Sequence, residues 1–198
     1  QARNGHATAP VTPIEWVNGN LGKSNAHYVE GYSIPYRSVM TDLPTGIPIT
    51  LSIEYDIKHS KGHNAIDYLT SYNRMNYPNH VAVFGHSPEE IDPLDGVSGV
   101  SSTISTYTIP APSSAGSPVP GQPTTSYNNL VASEGISSVQ MTLFGGTIDN
   151  IAYVTQGDLT ANQSETRIAV TFHVDSSTAV LAWGGHIGSR LDWGYDNA

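Results

Sequence analysis

Residues 47–58 read Ile-Pro-Ile-Thr-Leu-Ser-Ile-Glu-Tyr-Asp-Ile-Lys, and this stretch decides the fold class. Apolar and polar side chains alternate along it, and one face would carry Ile49, Leu51, Ile53, Tyr55 and Ile57. In a β-strand, successive side chains point to opposite faces, so a period of two marks a strand with one buried face. The stretch therefore predicts a half-buried strand.

The same alternation recurs near the end of the chain. Residues 167–175 place Ile168, Val170, Phe172 and Val174 on one face, and a Ser-Ser pair separates them from a second predicted strand at 178–183. We predict that these two strands pair antiparallel. Residues 28–41, rich in β-branched and aromatic side chains, precede a turn at 42–46, which predicts a hairpin with the strand at 47–58.

The middle of the chain is less regular. Residues 139–155 predict a bulged or bent strand pair around Gly145 and Gly146, whereas residues 64–73 fit either a helical turn or a strand. Residues 85–127 contain seven prolines and predict a long Pro-rich loop excursion that is ordered by packing.

Together these segments predict an all-β fold, an antiparallel two-sheet β-sandwich or jelly roll. We expect one such domain over residues 14–198, preceded by an N-terminal arm at 1–13. The arm either adds a strand to a neighbouring subunit or lies along its own domain.

Composition excludes several classes of function. The 198 residues carry 17 acidic and 8 basic side chains, a net charge of −9, and no cysteine. Nucleic acid is not an expected partner because the basic footprint is missing, and no apolar run is long enough for membrane insertion. Disulfides and a cysteine nucleophile are excluded. The Ser-, Thr- and Gly-rich composition, and a start at Gln1 without a leader, predict a secreted, extracellular or cell-surface protein.

Two groups of residues are candidate metal ligands. Asp56, His59, His63 and Asp67 follow the first strand, with His80 and His86 further along. Imidazole and carboxylate donors suit zinc or another first-row ion, but the spacing matches no zinc signature, so these histidines equally fit a role in bonding the turns. Calcium is a possible cofactor at an acidic loop that carries four carboxylates, starting at Glu89, of which Glu90, Asp92 and Asp95 are the candidate ligands; a solvated acidic loop is the alternative.

A candidate ligand-binding surface lies near the carboxyl end. It comprises Trp183, His186, Arg190, Asp192 and Trp193, in a stretch that also contains several glycines. Aromatic rings stack on the apolar faces of sugars, and polar groups bind the hydroxyls. The alternative is a core tryptophan beside a buried structural ion pair.

A family resemblance rests on three groups of segments. They are Gly19–Gly22 with His27–Gly31, Tyr55–Ser60 with Ala65–Thr70, and Trp183–Ile187 with Asp192–Gly194. These segments resemble an uncharacterised domain of large secreted bacterial cell-surface or adhesin-like proteins, a domain described as having a prealbumin-like fold. The resemblance implies an extracellular β-sandwich and assigns no catalytic residues.

The leading functional hypothesis is an extracellular structural or adhesive surface protein, not an enzyme. In this hypothesis the chain self-associates into a filament by strand addition between neighbours, or it binds a surface glycan or protein. One alternative is a calcium-assisted carbohydrate-binding module. A second alternative is a metal-dependent hydrolase built on the His/Asp cluster.

Overall fold

The computed structural model describes residues 1–59 and 63–198. It confirms the all-β class, with 42% of residues in strands, 12% in helices and antiparallel pairing within the sheets. The strands are β1 (Ala2–His6), β2 (Ala9–Trp16), β3 (Ser33–Met40), β4 (Ile49–His59), β5 (His63–Asn64), β6 (Ile66–Thr70), β7 (Ile104–Thr108), β8 (Gln140–Phe144), β9 (Gly146–Thr155), β10 (Ser164–Val174) and β11 (Ala179–Ile187). The helices are α1 (His80–Phe84), α2 (Thr124–Glu134) and α3 (Arg190–Trp193), and a 3₁₀ turn spans Ile136–Val139.

Two sheets form the body of the domain. One has four strands in the order β5-β4-β10-β9, and the other has the order β3-β11-β8-β7, with β6 also paired to β11. The main core lies between them and draws apolar side chains from both sheets, including Leu69, Met141, Leu143, Ile168, Val170, Phe172 and Leu181. Strands β1 and β2 form a separate two-stranded sheet.

The two alternating stretches are confirmed as half-buried strands. In β4, four residues of the predicted apolar face pack against the main core, namely Ile49, Leu51, Ile53 and Tyr55, whereas Ile57 is buried in a separate cluster with Leu159 and Trp193. Thr50, Ser52 and Glu54 on the other face are exposed. In β10 all four predicted inward residues are buried, with Ile168, Val170 and Phe172 fully so. Burial of alternate side chains against the opposite sheet is what holds both strands in place.

The predicted pairing of consecutive strands is wrong. Strand β3 pairs with β11 and β4 pairs with β10, so the hairpin expected between residues 28–41 and 47–58 does not form. Likewise, β10 and β11 belong to different sheets. In both places the connecting turn carries the chain across the core from one sheet to the other. A short turn can make this crossing as readily as it can join two neighbouring strands of one sheet.

Strands β8 and β9 show the same crossing at the predicted glycine bend. Gly145 has φ +94°, and a Cβ there would lie 2.9 Å from the carbonyl oxygen of Thr178. At Gly146 a Cβ would lie 2.2 Å from the carbonyl oxygen of His173. Only glycine fits such a close approach of backbones. The bend therefore separates two strands of different sheets and does not join a pair.

Regular structure also lies within the Pro-rich segment. Strand β7 forms the edge of the larger sheet beside β8, and α2 begins at Thr124. The undecided residues 64–73 contain β6. No helix among residues 1–59 and 63–198 has the length and apolar character needed to cross a membrane.

Residues 1–13 belong to the β1–β2 hairpin, which packs on its own chain. Ala2 and Ile14 are buried in a small cluster with Met75. The backbone N–H of Ile14 donates to the carbonyl of Glu90 at 2.9 Å. The hairpin is thereby attached to the segment that follows α1.

Candidate metal centre

Three histidines and one glutamate converge where the N-terminal hairpin meets the segment around α1. They are His27, His80, His86 and Glu89, and one donor atom from each lies within 4.8 Å of the other three. Over the part of the chain that the structure describes, this is the one group of three or more such side chains with that geometry.

Glu89 lies at the middle of the cluster. Its Oε1 is 3.1 Å from Nε2 of His27, 3.5 Å from Nε2 of His80 and 3.4 Å from Nδ1 of His86. The glutamate side chain is 1% exposed, and the side chains of His27 and His80 are also buried. A carboxylate this deeply buried is rare unless it is paired or binds a cation.

His27 is positioned by strand β1. It lies in the connection between β2 and β3, and its backbone N–H donates to Oδ1 of the buried Asn4 at 3.1 Å. Its Nδ1 bonds to the carbonyl of Gly5 at 2.8 Å. The N-terminal hairpin therefore fixes one of the four donors.

The other three donors come from a short helix and the turn after it. His80 is the first residue of α1, which ends at Gly85 in the left-handed conformation, with φ +79°. That conformation reverses the chain direction at almost no cost for glycine. The reversal allows His86 and Glu89 to return to the cluster.

Hydrogen bonds orient two of the imidazoles. Because Nδ1 of His27 faces the Gly5 carbonyl and Nδ1 of His86 faces the Ser87 carbonyl at 2.9 Å, the N–H of each ring lies on Nδ1. The lone pair of each neutral ring is then on Nε2, as in histidines that bind metals. The Phe84 ring packs against the cluster, with its centroid 4.8 Å from those of His27 and His80.

Five buried atoms of the cluster have no hydrogen-bond partner. They are Nε2 of all three histidines and both carboxylate oxygens of Glu89. Ten such side-chain atoms occur among the described residues, so half of them meet in one place. Each unsatisfied buried polar atom costs about 1–3 kcal/mol. A bound cation would satisfy the three imidazole nitrogens and one carboxylate oxygen together.

The electrostatics favour neutral imidazole. Burial lowers the pKa of His80 below its ordinary value, although the Glu89 carboxylate acts in the opposite direction. The neighbouring His86 and His27 lower the pKa of His80 further. A neutral imidazole keeps the lone pair that a metal ligand needs.

Three imidazole nitrogens and one carboxylate oxygen match the donor set of a first-row transition ion. Zinc bonds of about 2.0–2.2 Å in a tetrahedron separate neighbouring donors by about 3.3 Å. The distances from Oε1 of Glu89 to Nε2 of His27 and Nε2 of His80 already lie close to this spacing. The donor atoms of the four residues all lie within 4.8 Å of one another.

The structure distributes the first predicted metal group over two places. His59 lies 3.5 Å from Asp56 on an exposed surface and pairs with His63 between β4 and β5. Asp67 is instead fully buried and accepts hydrogen bonds from His186 and Trp193. None of the four contributes to the centre described above.

The predicted calcium ligands also remain separate from the centre. Glu90, Asp92 and Asp95 are exposed and belong to no group of potential metal donors in the described chain. Oδ1 of Asp92 accepts from the backbone of Leu94 at 2.8 Å, which caps a turn. Glu89, the neighbour of the predicted Glu90, is the acidic residue that reaches the cluster.

The predicted ligand-binding residues divide between core and surface. Trp193 and His186 are buried, whereas the half-buried Trp183 stacks on Tyr36 with ring centroids 5.9 Å apart. Arg190 pairs with Glu30, and Asp192 accepts hydrogen bonds from Ser126 and Ser189. The expected pairing of Arg190 with Asp192 does not occur.

The sequence indicated His80 and His86 as members of the histidine cluster and Glu89 as one carboxylate of the acidic loop, but it did not join Glu89 to these histidines or include His27. Glu89 follows His86 by three residues, and that spacing was the available signal. His27 carries no local signal, because only the folding of the hairpin onto α1 brings it to the cluster.

Comparison with known proteins identifies no relative: no family model, no curated protein and no solved structure matches the chain. The resemblance to a prealbumin-like surface domain therefore stays a prediction.

Proposed function

We propose that this protein binds a divalent first-row transition ion, of which zinc is the representative, through His27, His80, His86 and Glu89. The observation that carries the proposal is the convergence of five buried, unpartnered donor atoms from four side chains. In folded proteins such atoms nearly always have a partner. A cation is the partner that fits three imidazoles and a carboxylate.

Calcium fits this donor set poorly. It takes six to eight oxygen ligands, and the centre offers the oxygens of a single carboxylate. Imidazole nitrogen is instead preferred by zinc, copper, nickel and iron. The proposed cofactor thus differs from the calcium expected at the acidic loop.

The ion has a structural role in this proposal. Four protein donors complete a tetrahedral shell, as they do in structural zinc sites. The donors come from two segments, His27 beside the β1–β2 hairpin and the other three around α1. The ion therefore links the hairpin to the domain in a chain that contains no cysteine.

Zinc titration of chelator-treated protein tests the proposal. Isothermal titration calorimetry should give one site per chain in the natural sequence, and His86→Asn should weaken that site strongly. His59→Asn is the matched control, since His59 is an exposed histidine outside the centre. Equal loss of affinity in both variants, or no saturable binding by the natural chain, would reject the centre.

Thermal unfolding provides a second measurement. A ligand that binds only the folded state stabilises it by about 2.7 kcal/mol at 100 times its Kd. For a chain of this size that corresponds to a rise in Tm of about 5–10 °C. The rise should be present in His59→Asn and absent in His86→Asn.

The wider role remains a proposal supported by composition and sequence resemblance. An extracellular structural or adhesive subunit would gain from an ion-linked hairpin, because such a chain lacks disulfides. Electron microscopy and light scattering of the zinc-loaded protein test self-association, and a stable monomer at high concentration would count against filament assembly.

A further inference from the structure

A second buried polar cluster lies away from the metal centre. Oδ1 of Asp67 accepts a hydrogen bond from Nδ1 of His186 at 2.6 Å, and Oδ2 accepts one from Nε1 of Trp193 at 2.9 Å. All three residues are buried. The carboxylate therefore fixes both the imidazole and the indole.

The His186 ring is hydrogen-bonded at its edge to Asp67 and is stacked on its face against Tyr68. Strand pairing places His186 opposite Tyr68 in the β11–β6 ladder. The two rings stack, with centroids 4.2 Å apart and planes inclined by 12°. Gly184, two residues before His186, permits close packing of β11 on β6, because a Cβ there would lie 2.5 Å from Oγ1 of its partner Thr70.

His186 lines a cavity of about 510 Å³. Because Nδ1 bonds to Asp67, Nε2 is the remaining polar atom of the His186 ring. No described residue hydrogen-bonds to this nitrogen, which leaves it available to a ligand in the cavity. Such a volume is within the range of small-molecule sites, about 300–1,000 Å³. The orientation of His186 by a buried carboxylate is the preorganisation that a binding site requires.

A chain of hydroxyl groups forms another part of the wall. The Tyr68 hydroxyl bonds to Oγ of Ser126 at 3.1 Å, and Ser126 donates to Oδ2 of Asp192 at 3.2 Å. Ser189 donates to the same oxygen at 2.6 Å. These hydroxyl donors are thus already used within the protein, so this part of the wall offers acceptors to a ligand.

The charges around the cavity are largely paired. Glu30 is bound by Arg190 at 3.0 Å, and Glu134 is bound by Arg74 through two hydrogen bonds of 3.0 Å. Among the described residues, Arg74 is the cationic side chain that lines the cavity, and it is already paired with Glu134. It is therefore not free to bind an anionic ligand. The acceptors that remain include Nε2 of His186 and the amide oxygen of the exposed Asn129.

We propose that this cavity binds a small, uncharged, multiply hydroxylated molecule of the monosaccharide class. Its hydroxyls would donate to His186 and Asn129, and the apolar wall around Leu130 would contact its C–H face. The proposal is independent of the metal centre, with which this cavity shares no ligand residue. It moves the sugar-binding role away from Trp183 and Trp193, since one is half-buried against Tyr36 and the other lies in the core.

NMR of the ¹⁵N-labelled imidazoles in the natural protein, recorded with and without added zinc, tests this assignment. The probes are glucose, galactose, mannose and N-acetylglucosamine at millimolar concentration, with ethylammonium and acetate as charged probes. The expected result is a saturable shift of the His186 Nε2 resonance with at least one sugar. No shift with any sugar, or a shift with a charged probe alone, overturns the proposal.

Two neighbouring asparagines on α2 provide a matched pair of variants. Asn129 lines the cavity, whereas the exposed Asn128 does not. Asn129→Ala should raise the Kd of the bound sugar about three- to tenfold, the effect expected for one hydrogen bond, and Asn128→Ala should leave it unchanged. Equal affinity of the two variants would place the sugar elsewhere and contradict the proposal.

Discussion

Nε2 of His27 lies 3.1 Å from Oε1 of Glu89, although the two residues belong to segments far apart in the chain. Neither atom has a hydrogen-bond partner, and both are buried. Two such groups lose their hydration on folding and are not compensated by each other when the imidazole is neutral. A cation between them removes the cost, which is why this contact defines the centre.

The glutamate should affect metal affinity and intrinsic stability in opposite directions. At pH 8, Glu89→Gln should lower zinc affinity at least about 100-fold, because the only anionic ligand is lost. Without zinc the same variant should be as stable as the natural protein or more so, since it buries no charge. Calorimetry and chemical denaturation measure the two effects. Glu90→Gln is the exposed control and should change neither, whereas a parallel loss of zinc binding in both variants would contradict the assignment.

The hydrogen bond from Trp193 to Asp67 should contribute measurably to stability. Trp193→Phe leaves Oδ2 of Asp67 without its buried donor, which costs about 1–3 kcal/mol in addition to the lost ring volume. Trp183→Phe removes the same volume at a half-buried ring. Urea unfolding should therefore show the larger loss for Trp193→Phe. Equal losses would mean that the indole N–H contributes nothing.

Gly184 should not tolerate a side chain. An alanine Cβ would lie 2.5 Å from Oγ1 of Thr70 and 2.6 Å from the carbonyl oxygen of Ser71, so β11 and β6 would have to separate. We expect Gly184→Ala to lower the free energy of unfolding by about 1–3 kcal/mol. Gly22→Ala is the control, because no atom lies within 4 Å of its added Cβ, and its effect should stay within about 0.5 kcal/mol. Denaturant midpoints compare the two.

The ion pair of Glu30 with Arg190 should be visible in a carboxyl titration. Hydrogen bonds from Arg190 hold the pKa of Glu30 below its ordinary value of 4.5. A lowered pKa in the folded state stabilises the protein above the unfolded pKa, and that contribution is lost as the pH falls through the folded pKa. NMR should therefore show the Glu30 midpoint below 4.5, rising towards it in Arg190→Gln. Arg167→Gln, which removes the partner of Glu54 instead, should leave Glu30 unchanged.

Much of the secondary structure follows from the sequence because burial on one face imposes a period of two. Ile168, Val170 and Phe172 face the core in β10, as predicted, and Ile49, Leu51, Ile53 and Tyr55 of β4 pack against the same core. The pairing of strands does not follow. A short link such as residues 175–178 between β10 and β11 is compatible with a return in the same sheet or a crossing to the other sheet, and the choice depends on the whole core.

The sites show a similar division. The sequence predicted Asp67 as a metal ligand, and His186 and Trp193 as ligand-binding residues. The structure places all three in one hydrogen-bonded cluster. Nothing in the sequence indicated that they are partners of one another. His27 and Glu89 meet only because the N-terminal hairpin packs against the segment after α1, a tertiary contact without a local pattern.

X-ray absorption spectroscopy at the zinc edge tests the central claim most directly. Protein loaded with one zinc per chain and freed of excess metal by gel filtration should show a first shell of nitrogen and oxygen at about 2.0–2.2 Å, with the multiple-scattering signature of three imidazoles. A shell of oxygen atoms without imidazole scattering, or zinc lost during filtration, would contradict the centre formed by His27, His80, His86 and Glu89.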